Sequence, residues 1–319
     1  MLKRCYSLIV LILFLTGCVH HGQRPLSVKA EPVAATKTTR YIKATEFNQV
    51  DIQGHINVSL HTGYRNPQVV LKGDPRDLAY VQAKFIGGTL YLVLGSGYPR
   101  FGEVSVDIQT RVLNKFKYLG AGVIRGTQLN SSYLELYLDN QGTTQLGGYL
   151  SLRKLYINGG GLTQINGINS PYLEIYFKGD PKVQLTGIAN ISKLNMEAGW
   201  LSFYWVKSDI LTIRARKAAK IQLAGVVNRL DVELWGNSKF KGRYLRAQRS
   251  FVKTHGKSVA EISSVNHQST LATDASDIYY YNLSKTRADF MGFNGSVLDM
   301  RDWNNSFIKD FDTFNKQFP

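Results

Sequence analysis

The sequence predicts an all-β solenoid of about 20 residues per coil, and three observations predict it. First, the chain repeats itself from about Leu113 to Tyr281. YLELYLDNQGTTQLGG (from Tyr133), LRKLYINGGGLTQING (from Leu152) and YLEIYFKGDPKVQLTG (from Tyr172) are the clearest copies, with weaker ones from Leu211 and Leu230. A hydrophobic marker recurs at Ile124, Leu146, Ile165, Leu185, Trp205, Leu223, Phe240, Ile262 and Tyr280, in steps of 17 to 22 residues. Second, Leu136 and Leu138, Leu155 and Ile157, Ile175 and Phe177, Leu194 and Met196 alternate with polar neighbours, which points them to one side of a strand. Third, 29 Gly against 8 Pro in 319 residues suits short strands with tight corners, and no long helical pattern runs through the body.

One coil cannot bury its inward side chains, whereas stacked coils can. Stacking in register puts Glu135, Lys154, Glu174 and Lys193 in one outward column and Tyr137, Tyr156, Tyr176 and Asn195 in the next. The first column alternates in charge, as cross-strand pairs do. The tyrosines Tyr137, Tyr156 and Tyr176 are candidate interface residues, because evenly spaced phenols offer contact area at low entropy cost. The alternative is a ladder that stabilises only its own sheet.

The N-terminus has Lys3 and Arg4, an apolar run from Leu8 to Leu15, and then Leu15-Thr16-Gly17-Cys18. This segment resembles a bacterial lipoprotein signal, whose four lipobox positions are matched. The resemblance implies removal of residues 1–17 and acylation of Cys18, giving a membrane anchor of more than one chain. Val19, where an Asp would favour inner-membrane retention, implies the outer membrane, on its periplasmic or its surface face. With Cys5 lost and Cys18 acylated, neither a disulfide nor a thiolate metal site remains. Residues 18–40 lack a hydrophobic period and read as a flexible tether.

Residues 41–112 alternate in short runs broken by turn signals, and Asp74 before Pro75-Arg76-Asp77-Leu78 reads as the cap of a single helical turn. The order F-x-x-V-x-I-x-G-x-I-x-V-x-L (Phe47 to Leu60), V-x-L-x-G-D (Val69 to Asp74), Leu78 and G-G-T-L-Y-L (Gly87 to Leu92) resembles the head-GIN, or autotransporter-adhesin, domain of bacterial envelope proteins. That resemblance implies an antiparallel entry region over 41–112 that leads into a right-handed parallel β-helix over 113–283. It implies adhesion by name and transfers no catalytic residue.

Residues 284–319 read as a C-terminal cap. Trp303, Phe307, Phe311, Phe314 and Phe318 are spaced for one face of an amphipathic helix. Such a helix either covers the last coil or inserts Trp303, Phe307, Phe311 and Phe314 into a partner. The formal charge of +16 concentrates late: residues 205–260 hold thirteen Lys or Arg against Asp209, Asp231 and Glu233, a net +10. Arg214, Arg216, Lys217, Lys220, Lys239, Lys241 and Arg243 are therefore candidate anion-binding residues for an acidic glycan or lipopolysaccharide, unless they form a merely solvated face. No nucleic-acid recognition motif is present.

Several patterns bear on catalysis. Parallel β-helices that cleave polysaccharides need converging carboxylates, whereas Glu135 and Glu174 are two coils apart with Lys154 between them. Asp274, Asp277 and Asp289 read as turn residues, His55, His61, His255 and His267 lack metal-ligand spacing, and Gly159-Gly160-Gly161 precedes a strand where a phosphate loop requires a helix. The expectation is a protein without catalytic residues, cofactor or metal. It would be lipid-anchored in the outer membrane and act as a scaffold or adhesin-like surface for envelope proteins, for example in a secretion apparatus. An anionic-glycan binder is the second reading, and a polysaccharide lyase or hydrolase the third.

Overall fold

The computed structural model describes residues 37–301. Cys18 with its signal, and the aromatic series Trp303, Phe307, Phe311 and Phe314, lie outside the described residues. The N-terminal part contains β1 (Thr38–Ile42), β2 (Gln49–Gln53), β3 (Asn57–His61), β4 (Gln68–Gly73), α1 (Pro75–Leu78), β5 (Val81–Ile86), β6 (Thr89–Leu94), β7 (Ser105–Gln109) and β8 (Lys115–Gly120). Eight long strands follow, each a whole coil of 15 to 18 residues: β9 (Ile124–Asn140), β10 (Thr144–Gly159), β11 (Leu162–Gly179), β12 (Lys182–Met196), β13 (Trp200–Ala215), β14 (Lys220–Leu234), β15 (Lys239–Thr254) and β16 (Val259–Thr273). The short strands β17 (Asp277–Tyr280), β18 (Arg287–Phe293) and β19 (Ser296–Asp299) carry the stack further.

Consecutive coils pair in parallel, so the chain is a β-solenoid. Register holds along each straight segment and slips at the bends, as in β10 between Leu146 and Leu150 and again before Lys154. Leu155 pairs with Leu136 on one side and Ile175 on the other. The same inward column runs from Leu90 through Val50, Phe116, Leu136, Leu155, Ile175, Leu194, Ile213, Val232 and Val252 to Thr270. All of them are buried. Phe290 stands next in the column on β18 and is 56% exposed, because no described coil covers it.

Two features differ from the sequence expectation. The entry region is antiparallel only in part: β1–β4, β4–β7 and β5–β6 are antiparallel, while β2 pairs in parallel with β6 and β8, and β3 with β7 and β9. Val50 and Ile52 alternate as coil residues do, and they already occupy the columns of Phe116 and Tyr118. The interior also turns polar at the far end. Ser250 and Ser264 hydroxyls lie 2.5 Å apart, Thr254 and Ser276 hydroxyls 2.8 Å, and the Asn282 amide donates to Gln268 at 2.5 Å. These hydrogen bonds offset part of the desolvation, while the buried Gln268 Nε2 and Thr270 Oγ1 have no hydrogen-bond partner. Asp74 caps α1 as expected, accepting from the Arg76 backbone N–H at 3.0 Å.

One corner depends on glycine. Gly148, Gly167, Gly187 and Gly225 have φ of +122°, +75°, +126° and +139°, and a Cβ on any of them would lie within 2.1 Å of a carbonyl oxygen in the previous coil. Gly187→Ala is therefore expected to cost more than about 1 kcal/mol in urea denaturation. Gly160→Ala, whose Cβ would meet only the end of the Gln141 side chain at 3.1 Å, should be close to neutral.

Candidate functional site

The third segment of each coil builds one outward face. On it the register sets Glu135, Lys154 and Glu174 in one row and Tyr137, Tyr156 and Tyr176 in the next. Tyr133 and Tyr172 flank this grid, because two of the coils share the pattern Tyr-x-Glu-x-Tyr. Each glutamate then accepts from two phenols. Glu135 takes the hydroxyls of Tyr133 at 2.8 Å and Tyr137 at 3.1 Å, and Glu174 those of Tyr172 at 2.5 Å and Tyr176 at 2.9 Å. The cations of the intervening coils lie over the rings: Lys154 is 5.9 Å from Tyr137 and 5.5 Å from Tyr176, Lys193 is 5.4 Å from Tyr176, and Arg153 is 4.4 Å from Tyr172. The tyrosine ladder is thus held by its own sheet, and its half-buried rings still form the outer surface.

These contacts shift the titration of the face. Burial first, then the glutamate hydrogen bond, pushes the Tyr137 and Tyr176 phenols up to about 12. The hydrogen bond from Tyr172 is the largest influence holding the Glu174 carboxyl below its usual range.

Further along, the tyrosine row ends. Asn195 pairs with Tyr176 on one side and Arg214 on the other, so a short side chain stands between two long ones. The gap opens a groove of about 440 Å³ lined by Tyr156, Tyr176, Lys178, Asn195, Glu197, Arg214, Arg216 and Lys217, over the backbone of Phe177 and Met196. The structure therefore joins two sets that stand apart in sequence, the tyrosines and three of the predicted basic residues. Lys217 pairs with Glu197 at 2.7 Å, Arg214 approaches Glu233 at 3.8 Å, and Arg216 lies 5.1 Å over Trp235, which stacks on His255.

The other predicted basic residues lie elsewhere. Lys220 and Lys239 pair with each other at the start of β14 and β15, past the next corner. Lys241 stands between Gln222 and Glu261, and Arg243 covers the Tyr244 ring at 4.6 Å. Sequence reasoning missed Lys178, Glu197 and Trp235 as site residues, although Lys178 pairs with Asn158, whose amide donates to Asp139 at 2.7 Å. Among the described residues no group of three or more His, Cys, Asp or Glu could hold a metal ion. Asp274 accepts from the Gly256 backbone N–H at 2.9 Å, and Asp289 approaches His267 and Arg287 at 3.5 and 3.6 Å. No described helix is long and apolar enough to cross a membrane.

The fold and this face define a β-solenoid with a patterned outer surface. The family model described as "Putative auto-transporter adhesin, head GIN domain" matches residues 46–167 and again 148–283, and the chain belongs to that family. Solved structures similar to it include the following three. A "putative adhesin" of Parabacteroides merdae is 17% identical with a TM-score of 0.44, covering 82% of this chain and 95% of that one. A "putative lipid binding protein" of Parabacteroides distasonis is 14% identical at 0.41, covering 82% and 96%. A "putative adhesin" of the same organism is 14% identical at 0.45, covering 83% and 97%. No curated protein matches.

A phenol whose pKa is raised by folding adds stability below its ordinary pKa, and that stability is lost as pH rises through the folded value. The window for Tyr137 and Tyr176 is about pH 10 to 12. Melting temperature should fall across that window more steeply in the native chain than in a Tyr137→Phe, Tyr176→Phe variant. Equal slopes would contradict the assignment. For Glu174 the sign reverses: its contribution is present at neutral pH and lost on acidification below about pH 4.

Proposed function

We propose that this protein is a non-catalytic, adhesin-like lipoprotein of the outer membrane, anchored through Cys18, which holds other envelope macromolecules against one face of its solenoid. A structural subunit of an envelope assembly is the specific form of this reading. The observation that carries it is the clamped grid of Tyr133, Glu135, Tyr137, Lys154, Tyr172, Glu174 and Tyr176. Side chains already fixed by one another lose little entropy when a partner covers them. Family membership supports a binding role at the cell envelope or surface. The use of Asp274 in a turn and the separation of Glu135 from Glu174 by Lys154 support binding over catalysis.

A photo-crosslinking residue at Leu119, which is 47% exposed and pairs with Asp139 at the edge of this face, should capture a fixed set of envelope proteins in intact cells. The same set should co-purify after mild detergent extraction, and Cys18→Ser should release the protein from the membrane fraction. A purely monomeric extract with no crosslinked neighbour overturns the reading.

A further inference from the structure

The notch at Asn195 sets a short side chain between Tyr176 and Arg214. The buried Asn195 Oδ1 has no hydrogen-bond partner, although a buried acceptor normally has one. Around it stand two ring systems and four cations against one carboxylate, and that carboxylate, Glu197, is already tied to Lys217. A ring face carries negative quadrupole density and attracts the slightly positive C–H face of a sugar. The planar fork of Arg pairs in two-pronged fashion with a carboxylate or phosphate. Arg214 is placed for this, since its side chain is 57% exposed and its nearest carboxylate is 3.8 Å away.

We propose that this notch is a subsite for one sugar unit bearing an anionic substituent, carboxylate or phosphate, with Tyr176 and Tyr156 as the stacking side, the short Asn195 side chain as its floor and Arg214 with Arg216 as the anion clamp. It rests on the reading of this face as a binding surface and adds the chemistry of one occupant. The volume of about 440 Å³ suits a small-molecule subsite, since such pockets run from about 300 to 1,000 Å³.

The test is calorimetry on the detergent-solubilised full chain with four probes: hexagalacturonate, a phosphorylated glucan oligomer, neutral maltohexaose and inorganic polyphosphate. At least one of the two acidic oligosaccharides should bind with affinity that falls as salt rises, at least tenfold tighter than maltohexaose and polyphosphate. The tighter of the two identifies the substituent. Arg214→Gln with Arg216→Gln should weaken binding at least tenfold, and Lys220→Gln with Lys239→Gln, outside the groove, should leave it unchanged. Asn195→Tyr extends the tyrosine row by one rung and fills the notch. It should abolish binding with the melting temperature maintained or raised, which a merely structural role for Asn195 would not produce. Polyphosphate binding as tight as the tighter acidic sugar, equal losses from the Lys220/Lys239 pair, retained binding in Asn195→Tyr, or no binding of either acidic sugar each overturn the proposal. The protein neighbours captured at Leu119 should persist in Asn195→Tyr, so failure of the sugar subsite and failure of the wider function read out separately.

Discussion

Every coil must lie in register on the coil before it, and this requirement governs the rest of the molecule. Backbone hydrogen bonds between parallel segments fix the spacing at about 4.8 Å, so each side chain meets its counterpart one coil away. A column such as Leu136, Leu155 and Ile175 is then one continuous apolar strip. The strip needs no disulfide or metal to hold it, since burial of successive aliphatic residues supplies the driving force. Gly148, Gly167, Gly187 and Gly225 obey the same requirement, because coils in register bring a carbonyl oxygen of one bend close to the Cα of the next.

Outside, register turns a repeated five-residue pattern into a surface. Tyr-x-Glu-x-Tyr in one coil means little alone. With Lys154 in the coil between, two such patterns become a charge-alternating grid in which each carboxylate holds two phenols and Lys154 faces the rings of both Tyr137 and Tyr176. A single departure from the repeat is therefore conspicuous in three dimensions. Asn195 in place of a fourth tyrosine is a loss of one ring in sequence and a groove in the structure.

The repeat was legible because inward positions tolerate only apolar residues at period two, and their columns were read correctly for Leu136, Leu155, Ile175 and Leu194. Bends were harder. The sequence marker at Trp205 is two residues late, since Phe203 pairs with Leu185 and Leu223. Phe240 pairs with Ile221 instead of continuing from Leu223, and its ring fills the space where Gly242 has no side chain. Both slips arise where coils differ by a residue or two at a corner, which spacing in a single chain does not mark. The polar interior near Ser264, Gln268 and Asn282 was missed for another reason: hydroxyl and amide groups satisfy one another only when brought together.

The sequence by itself determined that this chain is a coil repeat with aliphatic columns inside and ionic and phenolic columns outside, because period and alternation are local properties that stacking merely extends. It also carried the head-GIN pattern to which the family match answers. Which basic residues share a site was decided only by the tertiary structure. Arg216, Lys217 and Lys220 are near neighbours in the chain, yet a bend separates the first two from the third, while Tyr156 and Tyr176 come from coils far back in the sequence to stand beside Arg214. A groove is made by the height of adjacent side chains across several coils, and chain order holds no record of that height.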